Sequence, residues 1–204
     1  MTSRYLHQLF TPAVKAAQDA HGSRRAYARA DAPTREPDRL TPREEMFISM
    51  RDSFYMAINS ASGWPYLQHR GGPAGFVKVL DAGRIGFADF RGNRQYLSLG
   101  NIEADDRASL IFMDYVRRAR LKVLGRIRSV DLDESPALAG VLVDEDYGAK
   151  VERGLIVEID SYDWNCPQHI TRRYAEDEVD RLVQPLQRRI AELESALARL
   201  RTEA

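Results

Sequence analysis

The chain has a single cysteine, Cys166, so no disulfide can form within it, which fits a reducing compartment. Charge of one sign is also missing: Lys+Arg and Asp+Glu both number 30 and the formal net charge is zero, which removes the global electrostatic argument for nucleic-acid binding. No apolar run approaches the roughly 20 residues needed to cross a bilayer, and the opening MTSRYLHQLFTPAV lacks the basic, apolar and small-residue succession of a signal peptide. The expectation is a cytoplasmic protein with no membrane or nucleic-acid partner. Neither GxGxxG nor GxxxxGK[ST] occurs, which leaves a Rossmann nucleotide site and a P-loop without support. Cys166 and His169 are close together, but His7, His21 and His69 lack ligand spacing, so no metal site is expected.

What is present is one domain's worth of chain, 204 residues, with an expected division into an N-terminal helical arm over 1–40, a β domain over 41–175 and a C-terminal helix over 176–204. Residues 4–20 carry a helical rhythm that Pro12 interrupts, and 22–38 read as an irregular crossing segment. Thr41, Pro42 and Glu44 spell a capping box for a helix to about Arg51, with Met46, Phe47 and Met50 on its inner side. Short strands are expected at 54–61, 65–69, 74–80, 84–88, 108–114, 120–131 and 154–162, with helical pieces near 94–103 and 133–143. Strands in succession without alternating helices describe a closed or partly closed barrel, a mainly β fold with flanking helices.

From 175 to 202, Val179, Leu182, Leu186, Ile190, Leu193, Leu197 and Leu200 recur at intervals of three and four, and Pro185 is expected to kink or restart that helix. The stripe suits either packing on the barrel or a partner helix in a homodimer.

Three clusters can carry chemistry. Asn93, Arg94 and Gln95 follow Gly92 at a strand-to-helix junction, where Arg94 can grip a phosphate monoester through paired N–H bonds and the two amides can add donors; Ser98 lies a turn further on. Gln68, His69 and Arg70 precede Gly71-Gly72, and a planar ring beside them can use the backbone of Lys78 and Val79. Trp164, Asn165, Cys166 and Gln168 lie in DWNCPQH after the last strand, where an aromatic and two amides can cover and read a flat ligand. No Ser or Cys nucleophile is paired with an oriented base, so no catalytic residue is assigned.

WPYLQHRGGPAGFVKVLD, IGFADFRGNRQYLSLGNI, RASLIFMDY, LKVLGRIRSV and DWNCPQHITRRY together resemble the pyridoxamine 5'-phosphate oxidase-related FMN-binding split-barrel family, over about residues 42–175. The resemblance implies a homodimeric split β-barrel with FMN in clefts at the subunit interface. It sets Lys78 and Val79 along the isoalloxazine, Asn93, Arg94 and Gln95 on the phosphate, His69 and Arg70 on the flanking strand, and DWNCPQH over the pocket from the partner subunit. Lys78 or Arg70 would supply positive charge near the flavin N1. The implied activity is an FMN-dependent oxidoreductase passing electrons to a small organic acceptor or dioxygen, with NADH or NADPH as a candidate donor. Alternatives are a non-catalytic flavin, deazaflavin or haem binder, or an interaction protein dimerising through the C-terminal helix. Family oxidases of pyridoxamine phosphate present Ser-Arg-Lys where this chain has Asn93-Arg94-Gln95, and a C-terminal Trp and Arg-x-His motif absent here. The resemblance therefore reaches the cofactor and stops short of a vitamin B6 substrate.

Overall fold

The computed structural model describes residues 3–31, 36–164 and 167–202. It forms two compact units, Met1–Asp114 with Ala119–Pro167, and Tyr115–Arg118 with Gln168–Ala204.

The first unit is built on a seven-stranded antiparallel sheet. Its strands are β1 (Ser53–Asn59), β2 (Pro65–Gly71), β3 (Lys78–Asp81), β4 (Arg84–Phe90), β5 (Arg107–Asp114), β6 (Ala119–Val130) and β7 (Val151–Trp164), in spatial order β2-β1-β5-β6-β7-β4-β3. Period-two alternation fixes the register: Phe54, Met56 and Ile58 of β1 and Ala108, Leu110 and Phe112 of β5 turn to one face, where Leu121, Val123 and Ile127 of β6 and Leu155, Val157 and Ile159 of β7 join them in the core. β7 and β4 are buried on their other face as well. Ile156 and Leu142 crowd Gly86, where an added Cβ would come within 2.9 Å of the Ile156 side chain.

The pairing of β6 with β7 shifts register between Leu124 and Gly125, which face Ser161 and Ile159, so Asp160 of β7 is the extra residue of a bulge. At that point a Cβ on residue 125 would sit 2.4 Å from the Glu158 carbonyl oxygen, so glycine alone lets the two backbones approach.

The helices of this unit are α1 (Ser3–Leu9), α2 (Pro12–Ala20), α3 (Arg24–Tyr27), α4 (Pro42–Ser49), α5 (Leu97–Ala104) and α6 (Pro136–Leu142), with a 3-10 turn at Ala28–Asp31. Pro12 divides α1 from α2 as expected. Part of the segment expected to be irregular is instead helical, because Asp31 gathers Lys15, Arg24 and His7 around one carboxylate. α1 is tied to β7 by an Arg4–Asp160 ion pair and a Ser161 to Gln8 hydrogen bond of 2.6 Å.

In α4 the capping box forms: the Thr41 N–H donates to Glu44 Oε2 at 3.0 Å. Glu44 Oε1 also accepts from Trp164 Nε1 at 2.6 Å, and Trp164 meets Phe47 edge-on at 4.7 Å, so a β7 residue fastens α4. Phe47 and Ile48 face inward. Met46 and Met50, expected beside Phe47, are 67% and 46% exposed: Met46 lies about 100° round the helix from Phe47, and Met50 is the C-cap, past the last helical residue.

β3 is shorter than the expected 74–80 strand. Gly75 adopts φ +81 and Phe76 N–H bonds back to Pro73, so Phe76 and Val77 reach the core from a turn.

In the second unit, α7 (Glu176–Thr202) runs unbroken through Pro185, so the expected restart does not occur. The Arg173 guanidinium lies 5.0 Å over the Tyr115 ring. Among the described residues no helix is long and apolar enough to cross a membrane.

Candidate functional site

β2 is an edge strand, and its side chains divide between two environments. Tyr66, Gln68 and Arg70 alternate onto the core side opposite Ile58, Met56 and Phe54, and are half-buried; Leu67 and His69 point the other way and are exposed. Polar bridges connect this edge to elements with which it shares no backbone ladder. Arg70 pairs with Asp89 of β4, Asp89 stands 3.6 Å from Arg153 of β7, and Gln68 accepts from buried Ser98 of α5 at 2.6 Å.

Between these bridges and the turn ahead of α5 lies a groove of about 160 Å³, lined by Gln68, Arg70, Asn93, Arg94, Gln95 and Glu152 among others. The turn has a defined shape. Asn93 Oδ1 accepts from the Gln95 N–H at 3.1 Å, and Arg94 and Tyr96 both adopt left-handed backbone angles, φ 62 and 53. These angles delay the helix to Leu97, so Arg94 lies in the turn rather than in the first helical residues.

Arg94 reaches across the groove. Its Nε donates to the Tyr96 hydroxyl at 3.4 Å, which donates to Glu152 Oε1 at 3.3 Å. Glu152 also accepts from Arg91 Nε at 2.8 Å and Arg153 Nη2 at 3.2 Å. The bond from Arg91, supported by Tyr96 and the charge of Arg153, holds the Glu152 carboxyl below its ordinary range. Arg153 in turn lies 5.3 Å over the Tyr96 ring.

Two donor sets are left over. Arg94 commits only Nε within the described residues, leaving both terminal nitrogens free for a planar fork on an oxyanion. Arg70 Nε is buried with no partner although its Nη1 is ion-paired. A buried guanidinium donor without an acceptor is costly unless an anion or ordered water meets it. The donor chemistry fits a phosphate monoester.

The other sequence-derived candidates are placed differently. His69 stacks edge-on against Tyr55 at 5.4 Å on the outer sheet face and borders a neighbouring hollow with Gln68 and Arg70. Lys78 and Val79 lie on the edge strand β3, with Val79 packed against the core; neither lines the groove. Trp164 is engaged with Glu44, Phe47 and the Arg43 guanidinium 4.2 Å from its ring, within its own chain. Gln168 is exposed, and Asn165 and Cys166 lie outside the described residues.

Tyr96, Asp89 and Glu152 were not singled out from the sequence. Glu152 reaches the groove because β7 begins at Val151, three residues before the expected start, and bulges opposite Asp89 and Phe90. The only available signal was the pairing of Val151 and Arg153 with β4, which no local pattern encodes. Among the described residues no group of three or more His, Cys, Asp or Glu is arranged to hold a metal ion.

No curated protein matches the chain. Among solved structures, HupZ from Group A Streptococcus aligns at 12% identity over 66% of this chain and 99% of its own, with a TM-score of 0.47. A protein of the pyridoxinephosphate oxidase family from Clostridium acetobutylicum, related to general stress protein 26 of B. subtilis, aligns at 11% over 67% and 94%, TM-score 0.45. An F420 reductase aligns at 15% over 65% and 98%, TM-score 0.44. Residues 40–176 match the family described as pyridoxamine 5'-phosphate oxidase, a span that takes in the whole sheet, both sides of the groove and the turn carrying Arg94. The chain belongs to the pyridoxamine 5'-phosphate oxidase family, with that family's split-barrel fold.

Proposed function

We propose that the chain is an FMN-dependent oxidoreductase that works as a homodimer on a small organic acceptor or dioxygen. The observation that carries this reading is that two arginines with unspent donors, Arg94 in its left-handed turn and Arg70, line one groove of a family split barrel. Asn93 and Gln95 add amide donors at the rim, and Gln68, held by Ser98, keeps the opposite wall in place.

The size of the groove supports a second subunit. About 160 Å³ suits a phosphate and the start of its chain, whereas small-molecule pockets run to roughly 300–1,000 Å³. The missing wall would come from a copy of this chain, with the Trp164 to Gln168 segment as its contribution. Apolar side chains are on offer for such an interface: Leu67 and Trp64, beside β1 and β2, are 65% and 78% exposed. In this reading residues 41–175 form the flavin-binding domain, with the 1–40 arm and the 176–204 helix added to it.

Bound there, the isoalloxazine would supply the hydride and electron chemistry itself. The chain's part is to bind and to bias. Arg94 fixes the phosphate and thereby the register of the rest of the ligand. Arg70 is compensated by Asp89, so the positive charge left to favour an anionic reduced ring is Lys78, which makes no ion pair among the described residues.

Reconstitution of the purified protein with FMN tests the cofactor: bound flavin absorbs near 370 and about 450 nm, and no retained absorbance after desalting refutes the reading. Anaerobic addition of NADH or NADPH then tests turnover. Bleaching of the bound flavin by either identifies the donor, and bleaching by neither removes both from the proposal.

A further inference from the structure

The C-terminal helix α7 carries a second pattern, independent of the flavin site. Val179, Val183, Leu186, Ile190, Leu193, Leu197 and Leu200 follow one another at alternating steps of four and three, an uninterrupted heptad register. Val183, Ile190 and Leu197 fall at its a positions, and Val179, Leu186, Leu193 and Leu200 at d. All seven are exposed, from 36% at Val183 to 64% at Leu186. The opposite side of the helix carries Arg181, Arg188, Glu192 and Arg199. Pro185 falls at c, away from the seam, so its ring does not interrupt the apolar line and its missing N–H costs a bond only on the solvent side.

We propose that α7 pairs with α7 of a second copy of this chain as a parallel, two-stranded coiled coil. The residue types select the stoichiometry: β-branched Val183 and Ile190 at a, with leucine at successive d positions, favour two parallel strands over three or four. The flanking charges select the orientation. In a parallel pair each g residue faces the e residue five positions on in the other helix, which brings Arg189 of one copy to Glu194 of the other, twice by symmetry. Within its own chain Arg189 makes only a surface contact with Glu192 at 2.9 Å and both side chains are mostly exposed, so little is lost in re-pairing. In a fully overlapped antiparallel pair Arg189 would instead face Ala196. The apolar line covers about three heptads, roughly 30 Å of helix at 1.5 Å per residue. That is enough to join two copies already held together through their barrels and to fix which two copies meet.

Cysteine cross-linking of the full chain tests orientation and partner together, and needs no bound flavin, so its outcome is separate from that of the cofactor proposal. In a Cys166→Ser background, Leu186→Cys, Leu200→Cys and the outward-facing Arg188→Cys are each oxidised with diamide and resolved on a non-reducing gel. The expected result is near-complete covalent dimer for Leu186→Cys and for Leu200→Cys separately, with at least tenfold less for Arg188→Cys. Cross-linking that appears only when the Leu186→Cys and Leu200→Cys proteins are mixed means an antiparallel pair and overturns the proposal. So does monomer in every lane, which would mean that the stripe is covered within its own chain, and so does equal cross-linking at position 188.

Discussion

Among single residues, Arg94 is the one on which the proposed phosphate grip depends. Its left-handed backbone would cost an ordinary residue energy and is held by the Asn93 to Gln95 bond on one side and by Tyr96 on the other. Replacing Arg94 with Ala removes a charge-assisted grip, and FMN binding is expected to weaken by about 1.5–3 kcal/mol, read by fluorescence quenching; an unchanged Kd places the phosphate elsewhere. Arg94 was visible in the sequence because a lone arginine after Gly-Asn at a strand-to-helix junction is a local signal. Glu152 was not, since its role depends on a bulged pairing between β4 and β7. The two fates of Gln68 and His69 were equally hidden: neighbours in an edge strand face opposite ways, and only the register with β1 says which is inside.

A second residue-scale prediction concerns acid. Asp31 is pulled down to about 2 by its hydrogen bond to Lys15, at 2.7 Å, assisted by Arg24 and His7. A carboxyl depressed in the folded state contributes its stability above its unfolded value, about 3.9, and loses it as pH falls from there through the folded value. Amide protection factors in α2 and the 3-10 turn, corrected for the pH dependence of intrinsic exchange, are therefore expected to fall below about pH 4. Asp31→Asn should show the acid behaviour at neutral pH; protection equal to the parent's would mean that the cluster does not hold the arm.

At the scale of elements, α4 depends on one carboxylate shared between its cap and a β7 tryptophan. Burial acts to raise the Glu44 carboxyl, but the bonds from Thr41 and Trp164 outweigh it and the group lies below its ordinary range, so it stays ionised and capping at neutral pH. Glu44→Ala strands the half-buried Trp164 Nε1 and removes the cap, which should cost about 1–3 kcal/mol of unfolding free energy in a urea titration; a midpoint within error of the parent's would deny α4 this anchor. Gly125→Ala pushes a methyl against the Glu158 carbonyl. It is expected to destabilise by at least about 1–3 kcal/mol, measured the same way, and a neutral effect would mean that the bulge relaxes. The capping box and the alternating strands were legible because each is a short-range pattern. The exposure of Met46 and Met50 was not, since helical periodicity gives an apolar arc without saying how much of it the sheet covers.

At the scale of the whole molecule, the split barrel could be read from the succession of short strands and from motifs in family order, and residues 40–176 carry that membership. What no strand pattern could reveal is how the edge strand β2 is connected across the gap: a chain of side chains, Arg70 to Asp89 to Arg153 and Gln68 to Ser98, takes the place of a backbone ladder. The same residues that close the gap build the groove, so fold and proposed site are one construction. On the reading proposed above, that groove recognises a phosphate monoester on a flavin. Titrating the protein with FMN and with riboflavin, which lacks only the phosphate, tests this directly by calorimetry. FMN is expected to bind at least about tenfold more tightly, the equivalent of about 1.4 kcal/mol from the phosphate contacts; equal affinities, or no binding of FMN, would contradict it.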